Sequence, residues 1–349
     1  MGSTHRPKAH SQPERRSLDH RGTVTSFDVA NRAKVSQSTV ARTFAHPEMV
    51  SADTQQRVIR AANSLGYVPS AIAGGMRNQR SGLVGVVVPS SSEYWQGVIS
   101  EFARQIADSS RQLLLTTFHD APGVEGAIRS ISRYRLDGLV LASSSIGVGQ
   151  ISRLVESRMR IVAFNQPAAT GLASLVAVDN QRGAAAIAMH LLDRGVKSVA
   201  FIGGVTSAST DQLRYRGAVE VFSAQNISCP YIEAGAFTYD AGFKIGSMAA
   251  LGDRLPDAFL VAADEVAFGV LDGLRKRGVR VPEDILVTGF DGVPQSFWEG
   301  YDLTTLVQPV ERLVTSALEL LATGDAAASV IIEGELRIGN STRGDRKHG

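Results

Sequence analysis

Residues 25–43 read TSFDVANRAKVSQSTVART, and this stretch decides the fold of the N-terminal region. Thr25 and Ser36 are predicted to cap two short helices, since hydroxyl side chains at such positions accept hydrogen bonds from free backbone N–H groups. Small apolar residues in the first helix allow a close crossing. Val40 and Phe44 supply the apolar face of the second helix. The stretch therefore predicts a helix-turn-helix.

The first turn of the second predicted helix carries polar side chains suited to reading bases. Gln37 and Ser38 project outward, and Arg42 follows Ser38 by one turn on the same face. Gln suits the edge of adenine, and Arg suits the O6 and N7 atoms of guanine. An ordinary polar surface helix is the alternative. The pattern predicts contact with the major groove of DNA.

Three helical patterns follow one another in this region, at residues 27–34, 37–45 and 53–65, and Pro69 closes it. Residues 1–80 hold 12 Lys and Arg against 5 Asp and Glu, whereas the rest of the chain holds 24 against 29. Basic side chains that neutralise phosphates supply most non-specific affinity for nucleic acid. The charge asymmetry indicates a basic head that meets a polyanion, with a solvated basic tail as the alternative.

Beyond residue 80, short apolar runs alternate with amphipathic stretches. The runs are residues 83–88, 113–117, 138–142, 160–164, 199–202, 258–262 and 285–289. This alternation is typical of α/β folds whose parallel sheets are covered on both faces. Some 260 residues exceed one ordinary doubly wound domain, so two lobes with a cleft between them are predicted.

The predicted domain boundaries follow from these changes in sequence pattern. They are a disordered basic extension (1–22), the head (23–69), a hinge helix or linker (70–80) and a body (81–349), with an N-lobe of residues 81–178 and 308–327 and a C-lobe of residues 179–307 and 328–343.

The first stretch, together with VSADTQQRVIRAANSLGYVPSAIA (50–73), resembles the DNA-binding head of the LacI/GalR family of bacterial regulators. By this resemblance Gln37, Ser38 and Arg42 occupy base-contacting positions. The full set of DNA contacts that it implies in the head is Thr25, Ser36, Gln37, Ser38, Thr39 and Arg42. The departures from the family pattern are Lys34, Ala41 and Ala45, where members commonly carry Gly, Ser and Asn.

The segment SAIAGGMRN (70–78) stands where the family has a hinge helix that forms on operator DNA. The resemblance places Ala73 along the minor groove and makes Met76 the apolar wedge at the central base step. Gly74 and Gly75 each cost about 1 kcal/mol inside a helix, so this hinge should be unfolded without DNA. A plain flexible linker is the alternative.

The body also resembles this family, and more broadly the periplasmic sugar-binding proteins. The motifs are YRLDGLVLAS (134–143), IVAFNQP (161–167), VAVDNQRGAAAIAMHLLDRGVKSVAFIGG (176–204), AADEVAFGVLDGLRKRGVRVPEDILVTGFDG (262–292) and LTTLVQPVERLV (303–314). The ligands of parallel sheets bind beyond the carboxyl ends of the strands, which directs attention to the polar residues there.

The resemblance aligns Asp291 and Arg214 with positions that bond effector hydroxyls, and Phe237 with an aromatic residue that stacks on the ligand. The remaining candidates for the cleft are Asn165, Gln308, Tyr94 and Trp95. Each has a plain alternative, since Asp291 can shape a turn, Arg214 can be solvated and Trp95 can pack between lobes. One departure is Ala263, where many sugar-responsive members carry Asn, and it leaves the class of effector open.

The sequence lacks the motifs that are typical of dehydrogenases, phosphate-binding enzymes, zinc sites and membrane spans. No glycine fingerprint of a dehydrogenase and no phosphate-binding loop occurs, so no enzyme activity and no cofactor are expected. The single Cys229 fits a reducing compartment, and His46, His119 and His190 lack the spacing of zinc ligands, so no metal is expected. No apolar run is long enough to span a bilayer. A soluble, cytoplasmic and nucleoid-associated protein is expected.

The predicted function is therefore that of a homodimeric repressor that reads inverted half-sites of operator DNA and responds to a small polar effector. A stand-alone sugar-binding protein with a non-regulatory nucleic-acid-binding head is the alternative. The effector, the operator and the sign of regulation stay open, as does a tetramer, although no leucine heptad follows Thr342.

Overall fold

The computed structural model describes residues 24–68, 81–90, 92–109, 111–119, 121–142, 159–165, 173–249, 254–323 and 328–343. They form two compact units, residues 24–68 and residues 81–343. The extension predicted at 1–22 and the hinge predicted at 70–80 lie outside the described residues.

The first unit is a bundle of three helices. Helices α1 (Ser26–Ala33) and α2 (Gln37–Ala45) are followed by a 3-10 turn and by α3 (Ala52–Leu65). Small and β-branched residues fill its core, which allows the helices to cross closely. The core residues are Val29, Ala30, Ala33, Val40, Val58, Ala61 and Ala62. The predicted helix-turn-helix is confirmed.

One predicted core position of α2 is wrong. Val40 is fully buried, but Phe44 is 38% exposed and its ring contacts that of Tyr67, with 6.1 Å between centroids. Thr43 is buried in its place, and its hydroxyl donates a 2.9 Å hydrogen bond to the Thr39 carbonyl. This bond satisfies the hydroxyl, so a threonine can take a position that the sequence pattern assigns to an apolar residue.

The turn between α1 and α2 depends on a left-handed residue. Lys34 ends α1 with φ 54° and ψ 49°, and its N–H bonds to the carbonyls of Ala30 and Asn31. A residue with a Cβ is strained in this region, whereas glycine is not. Lys34 therefore makes the turn at a cost in free energy.

The second unit contains two sheets. Its strands are β1 (Leu83–Pro89), β2 (Gln112–Phe118), β3 (Gly138–Leu141), β4 (Ile161–Phe164), β5 (Ser174–Val178), β6 (Val199–Gly203), β7 (Tyr231–Glu233), β8 (Ala258–Val261), β9 (Leu286–Asp291), β10 (Thr304–Val307), β11 (Ser329–Ile332) and β12 (Glu335–Arg337). The strand orders are β11-β5-β4-β3-β1-β2 in the first sheet and β12-β10-β9-β8-β6-β7 in the second. All pairings are parallel except that of β10 with β12.

Helices cover the sheets. They are α4 (Glu93–Asp108), α5 (Ala121–Ile131), α6 (Asn180–Asp193), α7 (Ser209–Ser223), α8 (Tyr239–Ala249), α9 (Asp264–Lys276) and α10 (Val310–Thr323). The central strands are buried along their whole length, as parallel strands with helices on both faces must be. The two-lobed α/β architecture is confirmed.

The predicted boundary between the lobes at residues 327 and 328 is wrong by one strand. Strand β11 pairs in parallel with β5 of the first sheet, from Ser329 opposite Leu175 to Ile332 opposite Val178. Only β12 returns to the second sheet. Residues 329–332 therefore belong to the N-lobe, because their backbone hydrogen bonds complete its edge, and the crossing falls at 333–334.

The chain passes between the lobes after β5, after β10 and between β11 and β12. Parallel strands of both sheets end where these passages begin, so the strand ends of the two lobes face one cleft. Asn165 follows β4, Asp291 ends β9, and Gln308 follows β10. The topology thus carries three polar candidates from separate strands to the same cleft.

Candidate nucleic-acid interface and ligand cleft

The start of α2 is held by hydroxyl groups. The Ser36 hydroxyl accepts a hydrogen bond from the Thr39 N–H at 3.2 Å and lies 2.7 Å from the Ser38 hydroxyl and 2.9 Å from the Thr39 hydroxyl. The Gln37 amide donates to the Ser26 hydroxyl at 2.8 Å, which ties the first turns of α1 and α2 together. Ser36, Ser38 and Thr39 thus orient the end of α2 that the sequence predicted to meet DNA.

The exposed face of α2 presents a polar donor and a cation. Gln37 and Arg42 are exposed, and Ser38 is half-buried between Ser36 and the face that carries Arg42. Ala41 and Ala45 are also exposed, and their short side chains do not obstruct the longer side chains on this face. Such a surface gives an amide and a guanidinium free access to base edges in a groove.

Thr25 stands at the N-terminus of α1 on the same unit. The Asp28 carboxylate accepts hydrogen bonds from the Thr25 hydroxyl at 2.7 Å and from its N–H at 2.8 Å. These bonds lower the pKa of Asp28, with the side-chain bond as the larger cause. Thr25 is the N-cap residue of α1, as predicted, and forms a capping box with Asp28. The two hinge candidates, Ala73 and Met76, lie outside the described residues.

A cavity of about 160 Å³ lies in the cleft between the two lobes of the second unit. Both lobes line it, which is the position that a ligand needs if it is to hold them together. Its lining consists of Pro89, Ser92, Glu93, Tyr94, Trp95, Ala142, Phe164, Asn165, Thr210, Arg214, Phe237, Ala263, Glu265, Asp291 and Val293.

A chain of hydrogen bonds runs beneath this cavity from one lobe to the other. The Tyr94 hydroxyl donates to the Gln308 Oε1 at 2.9 Å, and the Asn165 Nδ2 lies 3.2 Å from each of these oxygens. On the other side, the Gln308 Nε2 donates to the Asp291 Oδ1 at 2.8 Å. Gln308 is buried and does not line the cavity but joins residues that do.

Arg214 is fixed by four partners in the C-lobe. Its Nη1 lies 3.3 Å from the Asp291 carboxylate and donates to the Ala262 carbonyl, while its Nε donates to the Asn180 Oδ1 at 2.8 Å. The guanidinium carbon lies 3.7 Å from the centroid of the Phe290 ring. A cation held this rigidly presents its remaining donors in a defined direction.

The backbone at the two strand ends is strained. Asn165 has φ 59° and Asp291 has φ 127°, both in the region that disfavours a side chain with a Cβ. Such strain persists where the surrounding structure imposes it, and it concentrates at binding sites. Here the hydrogen bonds to Gln308 hold both side chains toward the cavity.

A second buried carboxylate supports the loop that carries Asp291. Asp264 accepts hydrogen bonds from the N–H groups of Gly292 and Val293, at 2.8 Å and 3.0 Å, and from the Thr305 hydroxyl at 2.6 Å. Burial raises the pKa of Asp264, and the charge of Asp291 raises it further. Burial also raises the pKa of Asp291, against the opposing effect of Arg214.

Aromatic side chains form the walls of the cavity. Tyr94 and Trp95 meet edge to face with 5.0 Å between ring centroids, and Trp95 contacts Phe164 at 6.3 Å. Burial raises the pKa of Tyr94, so its hydroxyl stays protonated and can donate. Phe237 lies against Gly204, where a Cβ would come within 2.4 Å of the ring. Aromatic walls beside a few polar groups suit a ring-shaped polar ligand.

The structure therefore brings the seven cleft candidates together, six on the cavity surface and Gln308 behind them, while their roles stay predictions. Sequence reasoning missed Glu93, Glu265, Thr210 and Asn180. The first two stand in the first turns of helices, where acidic residues are common, so only their tertiary neighbours mark them out.

Within the described ranges, no group of three or more His, Cys, Asp or Glu is placed to hold a metal ion. Of the helices in that part of the chain, none combines the length and the apolar character that crossing a membrane requires.

A helix-turn-helix unit followed by a two-lobed unit with a polar cleft defines the class of DNA-binding transcriptional regulators. Comparison with known families agrees. Residues 27–70 match the model of bacterial regulatory proteins of the lacI family, and residues 188–342 match that of the periplasmic binding protein-like domain. The chain therefore contains a DNA-binding domain of the lacI family followed by a periplasmic binding protein-like domain.

Individual relatives span nearly the whole chain. The catabolite control protein A of Priestia megaterium is 27% identical over 304 residues, which cover 85% of this chain and 91% of that protein. The ribose operon repressor of Halalkalibacterium halodurans is 27% identical over 303 residues, covering 85% and 89%. The crystal structure of the lac repressor dimer bound to operator and an anti-inducer aligns with a TM-score of 0.81 and 22% identity, covering 93% of this chain and all of that one.

Proposed function

We propose that this protein is a sequence-specific repressor that binds inverted half-sites of operator DNA as a homodimer. A small polar effector, sugar or sugar-like, changes that affinity from the cleft. The observation that carries the proposal is the hydrogen-bond chain from Tyr94 through Gln308 and Asp291 to Arg214, since a ligand in the cavity above it contacts both lobes.

The DNA-reading part of the proposal rests on α2. Its exposed Gln37 and Arg42 have the chemistry of adenine and guanine readers, while Ser36, Ser38 and Thr39 stiffen the turn that presents them. Thr25 at the start of α1 is assigned a backbone contact to phosphate. Ala73 and Met76 are assigned to the minor groove, as the sequence predicted.

The proposed homodimer matches the two-fold symmetry of the proposed inverted half-sites, and the dimeric state of the lac repressor, whose structure aligns with this chain, supports it. An effector that closes the lobes changes the spacing of the two hinges in the dimer. Coupling free energies between two such sites are typically about 1–3 kcal/mol. Operator affinity is therefore expected to change by roughly 5- to 150-fold.

We infer that the protein acts in the cytoplasm, without catalysis and without a metal or cofactor. The inference is supported by the lacI-family DNA-binding domain and by relatives that carry the names of regulators. A stand-alone binding protein is the second candidate. The two differ in that only a regulator changes its DNA affinity when its cleft is filled.

Fluorescence anisotropy of a labelled duplex, chosen by selection from random DNA, tests the proposal. The full chain should bind a duplex with two inverted half-sites as two chains per duplex, and far more tightly than a duplex with one. Met76→Gly should keep weak, salt-sensitive binding and lose most of the preference for the selected sequence. Equal affinity for one and two half-sites would contradict the dimeric repressor.

A further inference from the structure

The cleft contains a carboxylate whose hydrogen bonding is incomplete. The carboxylate of Glu265, in the first turn of α9, faces the backbone of Glu93, the first residue of α4 on the opposite lobe, and the N–H of Glu93 opposes the rise in the pKa of Glu265. Its second oxygen, Oε2, is buried and has no hydrogen-bond partner among the described residues. Buried acceptors are normally paired, so this oxygen is directed at a position that a donor should fill.

A second unpaired acceptor lies in the same cavity. Asn165 is only 4% exposed, and its Oδ1 has no partner within the described ranges. The orientation of its amide follows from its neighbours, because Asp291 can only accept and therefore turns the Gln308 Nε2 toward itself. The Gln308 Oε1 then faces the Asn165 Nδ2, which leaves the Asn165 Oδ1 for a ligand.

The charges that line the cavity do not balance. Glu93, Glu265 and Asp291 are acidic, and Arg214 is the one basic residue of the described lining. Arg214 is already paired with Asp291 at 3.3 Å. Among the described lining residues, the two glutamates therefore have no cation of their own.

We propose that the effector carries a protonated amine on a hydroxylated frame, with the ammonium group opposite Glu265 and Glu93. The inference rests on the proposed regulatory function and names the chemical class of its effector. An ammonium group supplies donors to the Glu265 Oε2 and neutralises the two carboxylates, and hydroxyl groups of the frame reach Asn165 and the Arg214–Asp291 pair. Phosphorylated sugars and sugar acids are excluded, because they would bring an anion against these glutamates.

Acidic residues in the first turn also stabilise a helix, and this accounts for Glu93, which is exposed. It does not account for Glu265, whose buried Oε2 has no donor among the described residues. Burial raises the pKa of Glu265, and the charge of Glu93 adds to that rise. Both effects would be offset by a cation beside Glu265, and a protonated amine would provide one.

Matched sets of small molecules on the full chain test this assignment. Each set contains an amine, its neutral hydroxyl counterpart and its acid: glucosamine, glucose and glucuronate; galactosamine, galactose and galacturonate; glucamine, sorbitol and gluconate. Thermal shift identifies binding, since a ligand of the folded state stabilises it. Calorimetry then gives Kd for wild type, Glu265→Gln, Glu93→Gln and the control Glu319→Gln, which lies on the exposed face of α10.

The amine of at least one set should bind, and its neutral and acidic counterparts should not bind or should bind about tenfold more weakly. Glu265→Gln should weaken the amine by about tenfold or more, Glu93→Gln by less, and Glu319→Gln not at all. A neutral sugar or an acid that binds as tightly as its amine overturns the assignment, as does an amine unaffected by Glu265→Gln or a panel in which no amine binds.

The same compounds are added to the complex of the full chain with its selected duplex. If a neutral sugar changes the DNA affinity, the regulatory function stands and the amine assignment falls. If a compound binds the cleft and none changes the DNA affinity, the regulatory function itself falls.

Discussion

The guanidinium of Arg214 lies 3.3 Å from the carboxylate of Asp291, and both side chains are almost completely withdrawn from solvent. The pair also faces the buried Asp264, whose charge acts on that of Asp291. One cation therefore holds a region with two buried carboxylates. Removing Arg214 would leave the charge of Asp291 without a partner. This would destabilise the folded state as well as weaken ligand binding.

We predict that Arg214→Ala lowers the free energy of unfolding of the second unit by about 3–5 kcal/mol, as is typical when one partner of a buried pair is removed. Arg214→Lys should cost less because it keeps the charge and loses the bonds to Asn180 and Ala262. Urea denaturation of both variants measures the difference. A loss below about 1 kcal/mol for Arg214→Ala would show that the pair is solvated.

The pH dependence of stability should carry the signature of Asp264. Burial raises the pKa of Asp264 in the folded chain from the ordinary value of 3.8 to about 7. Between these two pH values, the folded chain holds a proton that the unfolded chain has released. The free energy of unfolding therefore falls as pH rises through this window. Asp264→Asn removes the titration, at the cost of hydrogen bonds to the Asp291 loop.

The measurement is the difference in unfolding free energy between wild type and Asp264→Asn, taken by urea denaturation at several pH values. Taking the difference cancels His190, whose pKa is lowered by burial and whose effect has the opposite sign. The advantage of wild type should shrink as the pH is raised. An advantage that grows with pH would mean that the hydrogen bonds to Asp264 outweigh its burial.

Lys34→Gly should stabilise the helix-turn-helix unit. Lys34 has φ 54°, a conformation that glycine adopts without strain, and its side chain is exposed. Release of the strain is partly offset by the larger backbone entropy of glycine in the unfolded chain, which leaves a gain of about 0.5–1 kcal/mol. Thermal melting followed by circular dichroism gives the result, and a lower melting temperature would contradict the strained turn.

Helices α8 and α9 pack so closely that a methyl group cannot enter. A Cβ on Gly269 would lie 2.0 Å from the Tyr239 carbonyl oxygen, an atom of the backbone that cannot move aside. Gly269→Ala should therefore destabilise the second unit by about 1–3 kcal/mol or more. Gly97→Ala is the matched control, because Gly97 lies on the exposed face of α4 and its added Cβ would have no atom within 4 Å; it should stabilise by about 0.5–1 kcal/mol. Equal effects of the two variants would disprove the close packing.

Local periodicity is why much of the fold could be predicted. Helix α2 and strands such as β8 have apolar patterns that report burial directly, and the structure places them within a residue or two of the prediction. Phe44 and β11 show where this fails. Thr43 replaces Phe44 in the core through a hydrogen bond, and Ser329–Ile332 alternates in exposure and gives no hint of which sheet it joins.

The cleft shows the same limit. Asp291 and Asn165 could be singled out because strand ends carry binding residues. Glu265 could not, because its significance depends on Glu93 of the other lobe and on an oxygen that has no partner among the described residues. The role of Gln308 as the link between lobes likewise appears only when four side chains are placed together.

In the proposed function, α2 reads bases and the guanidinium of Arg42 reads one of them. Selection from random double-stranded DNA, carried out in parallel with wild type and Arg42→Lys, tests this most directly. Lysine keeps the charge and loses the bidentate geometry, so overall affinity should fall modestly while base preference relaxes at one symmetric position in each half-site, by about 1–3 kcal/mol of discrimination. An identical selected sequence for both proteins, or no inverted repeat with wild type, would contradict the account.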